Sequence, residues 1–238
     1  MAGFADLGEV NLLKASAPFL HSLGPDQSAR HIIHGFNRAQ RLGMIAGMRP
    51  IEQTPELTFL MHGIVSAYPA ARFLHLVRDG RDVVCSLLER GWLCDSPSGV
   101  ALARGTGTTH DDAGQPFGNY ARFWVEPERR AEFEAASEVT RAAWAWRRYT
   151  SAGIDQAAEL PAGSILQVRY EQLVTDSRNV ALEIVDFLGE RDRANEFVSA
   201  FGKAHTRSHG RWRQELDAGQ IAEFENEAGP LLAELGYV

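Results

Sequence analysis

A chain of 238 residues with 45% apolar content is long enough to close one substantial core, which excludes disorder of the whole. Its formal charge of −7 excludes a general binder of nucleic acid or acidic membrane, because such binding relies on a basic face, so any anion site must be local. The two cysteines, Cys85 and Cys94, stand in no metal-ligand or redox spacing, which predicts a reducing compartment, free thiols and a buried Cys85. No apolar run is long enough to span a bilayer, and the opening MAGFADLGEV has no basic segment followed by an apolar one; a cytoplasmic protein is expected.

In chain order, residues 5 to 20 read as a helix, with Leu7, Val10, Leu12, Leu13 and Phe19 partly periodic, and a second helix is expected from Pro25-Asp26 to Met48. Its His31 and His34 lie one turn apart with no carboxylate at metal-site spacing and read as helix-surface residues. The segment MRPIEQTP breaks the pattern and suggests a short strand leading into a loop, followed by a helix from Glu56 to Ala67 that ends at Tyr68-Pro69.

The stretch Ala71 to Leu93 carries the strongest local signal. The apolar run Phe73, Leu74, Leu76, Val77 meets Arg78-Asp79-Gly80-Arg81-Asp82, and apolar residues at helical spacing (Val83, Val84, Leu87, Leu88) follow, which predicts strand, tight turn and helix. Such a turn offers backbone N–H groups and the positive end of a helix beside two arginines, so an anion is a natural occupant. Arg78 at the strand end and Ser86 in the second helical turn would hold it from two sides, while Asp79, Arg81 and Asp82 fix the turn by local pairing. The competing reading is an ordinary strand-to-helix connection with a surface ion-pair cluster.

From Asp95 to Asn119 the sequence becomes rich in Gly, Ser, Thr and Asp and reads as a mobile loop, either a lid or disordered; His110-Asp111-Asp112 within it reads as solvated rather than as a metal or acid–base group. A long helical segment from Glu128 to about Leu160 carries Trp144, Trp146 and Tyr149, expected in the core. GSILQVRY at residues 163–170 reads as a second clear strand, and a helix from Asp176 to Gly189 presents Val180, Ile184, Val185 and Leu188 on one face. Strands separated by long helical segments, with no hairpin signal, predict a parallel sheet flanked by helices on both faces: one α/β domain over residues 1–238. The run His205 to Arg213 is a second local basic cluster, ahead of a last helix ending at Leu235-Gly236.

Three patches then stand in a telling order: Glu52-Gln53-Thr54-Pro55, VRDGRDVVCS with Arg78 and Ser86 eight residues apart, and VRYEQLV from Val168 to Val174. With the closing GPLLAELGY they resemble the sulfotransferase superfamily, enzymes that use 3′-phosphoadenosine-5′-phosphosulfate, and most of all the tyrosylprotein-sulfotransferase and related bacterial branch. The resemblance covers residues 50–93 and 163–238. It implies a P-loop NTPase-like fold, that nucleotide as co-substrate, no metal, and a hydroxyl-bearing acceptor: a small molecule, a glycan or a tyrosine. By position, Arg78 and Ser86 would grip the donor's 3′-phosphate, in agreement with the anion site read from the turn. Tyr170 would lie against the nucleotide, or pack as an ordinary strand-end tyrosine. Ser208, Gly210 and Arg211 fall where the family brings a late loop over the same phosphate, although Arg207, Arg211 and Arg213 also read as solvated charges. Glu52 matches the carboxylate of a Glu-Lys-Thr-Pro pattern in glycan-modifying relatives and is the candidate base for the acceptor hydroxyl; the tyrosylprotein branch takes its base from an earlier segment. Gln53 departs from the usual lysine, and an amide supplies no charge.

The family opens with a strand and a glycine-rich turn of the type Gly-x-Pro-Arg-Ser-Gly-Thr-Thr that cradles the 5′-phosphosulfate, and nothing in residues 1 to 50 resembles it. The expectation is therefore a chain that begins after that element: a shortened gene product, a fragment completed from elsewhere, or a degenerate homologue. Two functions follow. One is a sulfotransferase; the other is a non-catalytic domain that binds the nucleotide 3′-phosphate. A P-loop kinase or NTPase lacks its Gly-x-x-x-x-Gly-Lys-Ser/Thr signature here. The acceptor would be selected by the 95–119 loop and the early helices, where no motif speaks.

Overall fold

The computed structural model describes residues 4–8, 11–41, 48–91, 93, 122–203 and 208–237. The expected loop at 95–119 with His110-Asp111-Asp112, Cys94, and residues 204–207 of the basic tail lie outside the described residues.

Where residues 5 to 20 read as one helix, the chain forms strand β1 (Phe4–Asp6), a turn at Leu7-Gly8, and helix α1 (Asn11–Ser22). Three residues are too few for an alternating pattern to register, and Gly8, at φ +58°, takes the left-handed conformation that glycine tolerates. Strand β1 pairs in parallel with β2 (Arg49–Ile51), from Phe4↔Arg49 to Asp6↔Ile51. Helix α2 (Pro25–Arg41) begins on its proline and leaves His31 and His34 exposed, as expected. The predicted helix at 56–67 is a tighter 3-10 segment, Pro55–Leu60, followed by α3 (Met61–Ala67).

Strand β3 (Phe73–Val77), the Arg78-Asp79 turn and helix α4 (Gly80–Arg90) appear as the sequence predicts. The long segment expected from Glu128 is broken into a 3-10 turn, Pro127–Arg129, helix α5 (Arg130–Ala135) and helix α6 (Glu138–Glu159). Arg141, 3% exposed, holds the break: its Nε donates to the Phe133 carbonyl at 3.0 Å, its Nη1 to the Leu93 carbonyl at 3.2 Å, and its Nη2 to the Glu134 carbonyl. Phe133 and Glu134 lie in the last turn of α5, where carbonyls run out of ordinary helical donors. Strand β4 (Ile165–Arg169) follows, then α7 (Tyr170–Thr175) and α8 (Ser177–Leu188). An unanticipated helix α9 (Ala194–Phe201) comes next, before α10 (Trp212–Glu215) and α11 (Ala218–Glu234), the last opened by a capping box of Asp217 and Gln220.

Strands β3 and β4 pair in parallel from Phe73↔Ile165 to Val77↔Arg169. Among the described residues the architecture is thus mixed α/β, mostly helical, with two small two-stranded parallel sheets. On one face of β3–β4, Val77 joins a core with Val84, Phe133, Trp144, Trp146 and Phe224, gathered around α6. On the other, Val168 packs with Val180, Ala181, Ile184, Val185 and Phe197 of α8 and α9. Helices therefore cover both faces, as parallel pairing requires. Trp144 and Trp146 are buried as expected, and Tyr149 packs edge-on against Phe59 at 5.0 Å between ring centres. Among the described residues no helix is long and apolar enough to cross a membrane.

His75 of β3 lies against α6, where its ring is so close to Gly153 that an added Cβ there would sit 2.5 Å from Nε2. Burial pulls its pKa below the ordinary histidine value. The folded state thus holds this imidazole neutral, whereas the unfolded chain protonates it near pH 6.5. Stability is expected to be full above about pH 6.5 and to fall as the pH drops below that value, because there the unfolded state binds more protons. Urea denaturation of wild type and His75→Gln at pH 7.5 and pH 5.0 checks this. The drop in stability between the two should be smaller in the variant.

Candidate functional site

The turn after β3 is built from its own sequence. Asp79 caps α4: its Oδ1 accepts from the Arg81 backbone N–H at 2.9 Å, and the Arg81 guanidinium reaches the same carboxylate at 3.0 and 2.8 Å. Asp79 and Arg81 are both buried, 7% and 6% exposed, so this local pair is well shielded from water. The Asp79 N–H donates to Glu171 Oε1 at 2.9 Å, and Glu171 Oε2 in turn accepts from the Tyr237 hydroxyl at 2.9 Å. Burial first, and then the Glu171 carboxylate, push the Tyr237 hydroxyl pKa well up, so it stays a donor. The YEQLV patch and the closing Gly-Tyr are thereby tied to the turn. Two of the turn's amides are thus already engaged by carboxylates, so the expectation that its backbone amides cradle an anion passes to the side chains.

Arg78 is where distant stretches converge. Its guanidinium sits 4.6 Å over the Tyr170 ring, donates to the Ser208 carbonyl, and lies 3.7 Å from Asp82 Oδ2. The Tyr170 hydroxyl and Ser208 Oγ are 2.9 Å apart. Trp146 Nε1 donates to the Arg78 carbonyl at 3.1 Å, which anchors the strand end to α6. Asp82 does not pair only locally, as the sequence suggested. Fully buried, its carboxylate accepts from the Gly210 N–H at 2.7 Å and the Trp212 N–H at 3.1 Å, residues far along the chain. Gly210 is at φ +73°, a conformation that favours glycine at the bend of this late loop. The Arg81 guanidinium then stacks 3.9 Å from the Trp212 ring centre.

Four of the predicted site residues therefore meet: Arg78, Tyr170 and Ser208 directly, and Gly210 through Asp82. Ser86 is half-buried on α4, one turn beyond Asp82. Arg211 is placed differently, its guanidinium held by Glu215 at 2.7 Å and Glu89 at 3.0 Å, so its charge is already matched. Glu52 lies at the end of β2, where its carboxylate accepts from the Thr54 N–H at 2.8 Å and from the Thr54 hydroxyl. Gln53 is turned to β1, donating from Nε2 to Asp6 Oδ1 at 2.8 Å. Cys85, next to the site on α4, is a free, buried thiol whose pKa burial pushes up to about 11, which favours the thiol over the thiolate. Sequence reasoning missed Glu171 and the long reach of Asp82; both are carboxylates in quoted motifs, but their partners lie 66 or more residues away.

One further observation bears on an anion. Among the described residues, the Arg78 Nε is buried without a hydrogen-bond partner. A buried guanidinium donor left unmatched is costly, and an oxyanion beside it would satisfy it. A cavity of about 250 Å³ lies elsewhere, among Leu20, His21, Phe59, His62 and Glu159. Its Gln156 is ten residues along α6 from Trp146, or about 15 Å of helix, so it is not the Arg78 site. Set against family models, characterised proteins and solved structures, the chain matches none of them.

Proposed function

We propose that the chain is a sulfotransferase of P-loop NTPase-like fold that uses 3′-phosphoadenosine-5′-phosphosulfate, with Arg78 and Ser86 holding the donor's 3′-phosphate and Tyr170 and Ser208 beside it. The observation that carries this reading is the unmatched, buried Nε of Arg78 at a point where β3, the start of α7 and the late loop meet. The fit is chemical: a guanidinium and a serine hydroxyl two helical turns apart complement a phosphate, and Tyr170 offers an aromatic face. Bound there, the nucleotide would supply an activated sulfuryl group on its 5′-phosphate. An acceptor oxygen then attacks sulfur in line, the bond from sulfur to the phosphate oxygen breaks, and the bisphosphate leaves with that electron pair. The acceptor's proton passes to a carboxylate, for which Glu52, half-buried and oriented by Thr54, is the candidate base.

A second reading, a non-catalytic domain that binds the nucleotide by its 3′-phosphate, is favoured by the β1 turn. There the Asp6 carboxylate accepts the Gly8 N–H at 2.9 Å, so this strand-to-helix turn carries a carboxylate rather than the basic residue of a phosphosulfate cradle. Two measurements decide. Titration calorimetry with adenosine-3′,5′-bisphosphate is expected to show binding, and its absence would sink both readings. Transfer of radiolabelled sulfate from the donor to a panel of hydroxyl acceptors is expected of the enzyme, and a binding protein that transfers none is the second reading.

A further inference from the structure

We infer that Asp82 is the positioning residue that latches the late loop over the Arg78 site, so that recognition of a 3′-phosphate depends on it although it touches no ligand itself. This rests on the proposed function for its ligand, and on geometry alone for its mechanics.

Asp82 is completely buried, and both oxygens are used. One accepts from Gly210 N–H at 2.7 Å and the other from Trp212 N–H at 3.1 Å, the two amides that bracket the bend of the loop. A buried carboxylate is tolerated only when it is compensated, and here two amides and the Arg78 guanidinium at 3.7 Å do so. The same loop delivers the Ser208 carbonyl to Arg78 and the Ser208 hydroxyl to Tyr170. Residues 208–212 are therefore tied to α4 through the two backbone amides that Asp82 accepts, with the Arg211–Glu89 pair as a side-chain tie beside them. Arg81 adds a cation–π contact to Trp212 at the end of the bend.

Electrostatics alone points the other way. A carboxylate this near a phosphate site repels the phosphate, so neutralising it should tighten anion binding. The latch predicts the reverse: an amide in place of the carboxylate accepts from one N–H and turns its own NH₂ toward the other, freeing the loop.

The test compares wild type with Asp82→Asn in two measurements. Amide hydrogen exchange on the ligand-free proteins is expected to speed up at residues 208–212, while β3 and α6 keep their protection. Calorimetry with adenosine-3′,5′-bisphosphate and with adenosine-5′-monophosphate is expected to show the preference for the bisphosphate falling about tenfold, the scale of losing hydrogen bonds to a charged acceptor. A residue serving stability alone would leave that preference unchanged, and a mere electrostatic neighbour would raise it; either result, or unchanged exchange, overturns the latch. Should Asp82→Asn not fold, Asp82→Glu keeps the charge while displacing the carboxylate, and both measurements should move in the same direction. If wild type binds neither nucleotide, the functional reading fails, and hydrogen exchange still decides whether Asp82 holds the loop.

Discussion

Gly80→Ala is expected to lower the free energy of unfolding by about 3 kcal/mol, measured by urea denaturation, the upper end of what overpacking a well-filled core costs. A Cβ at this position would lie 2.5 Å from Trp146 Cδ2 and 2.7 Å from Phe224 Cζ. Neither atom is the flexible tip of a long side chain. Trp146 is 5% exposed and Phe224 fully buried, with ring centres 5.6 Å apart, so the rings have nowhere to retreat. The glycine is needed for close approach, not for an unusual backbone angle. The consequence reaches the site, because a displaced Trp146 gives up its hydrogen bond to the Arg78 carbonyl. A variant as stable as wild type would mean that α4 does not lie against α6 as described.

Arg78→Ala is expected to weaken adenosine-3′,5′-bisphosphate binding roughly a hundredfold, the scale of losing charge-assisted hydrogen bonds to an oxyanion. Arg78→Lys should fall between the two. It keeps the charge, but a lysine can neither present a planar fork nor stack over Tyr170 as the guanidinium does at 4.6 Å. Its removal also costs the bond to the Ser208 carbonyl and part of the compensation of the buried Asp82 carboxylate, so stability should fall as well, by about 1–3 kcal/mol. Equal affinities in all three proteins would remove Arg78 from the site.

The elements that could be read in advance are those whose causes are local. An apolar run followed by helical spacing gives β3 and α4, and Asp79 with Arg81 pairs within two residues, as the turn's sequence suggests. The strand at β4 and the helix α8 follow from the same kind of signal. What escaped has causes elsewhere in the chain. Strand β1 is three residues long and exists by pairing with β2, more than forty residues on. The break between α5 and α6 is held by a guanidinium that also reaches Leu93, so helical propensity alone runs straight through it. The site divides in the same way. Arg78, Ser86 and Tyr170 carry recognisable chemistry in short motifs, whereas the reach of Asp82 to the late loop leaves no trace in local pattern.

That division sets when the site can exist. Its defining contacts join residues separated by 130 (Arg78 and Ser208), 128 (Asp82 and Gly210), 92 (Asp79 and Glu171) and 66 (Glu171 and Tyr237) positions. Contacts so distant along the chain close late in folding, after local helices have formed. During synthesis, α4 emerges with Asp82 still uncompensated, and it waits until residue 212 has been made before both its oxygens are engaged. On the proposed function, nucleotide recognition would be the last property this chain acquires, and a nascent or clipped protein lacking the late loop would keep much of its helical content while failing to bind the bisphosphate.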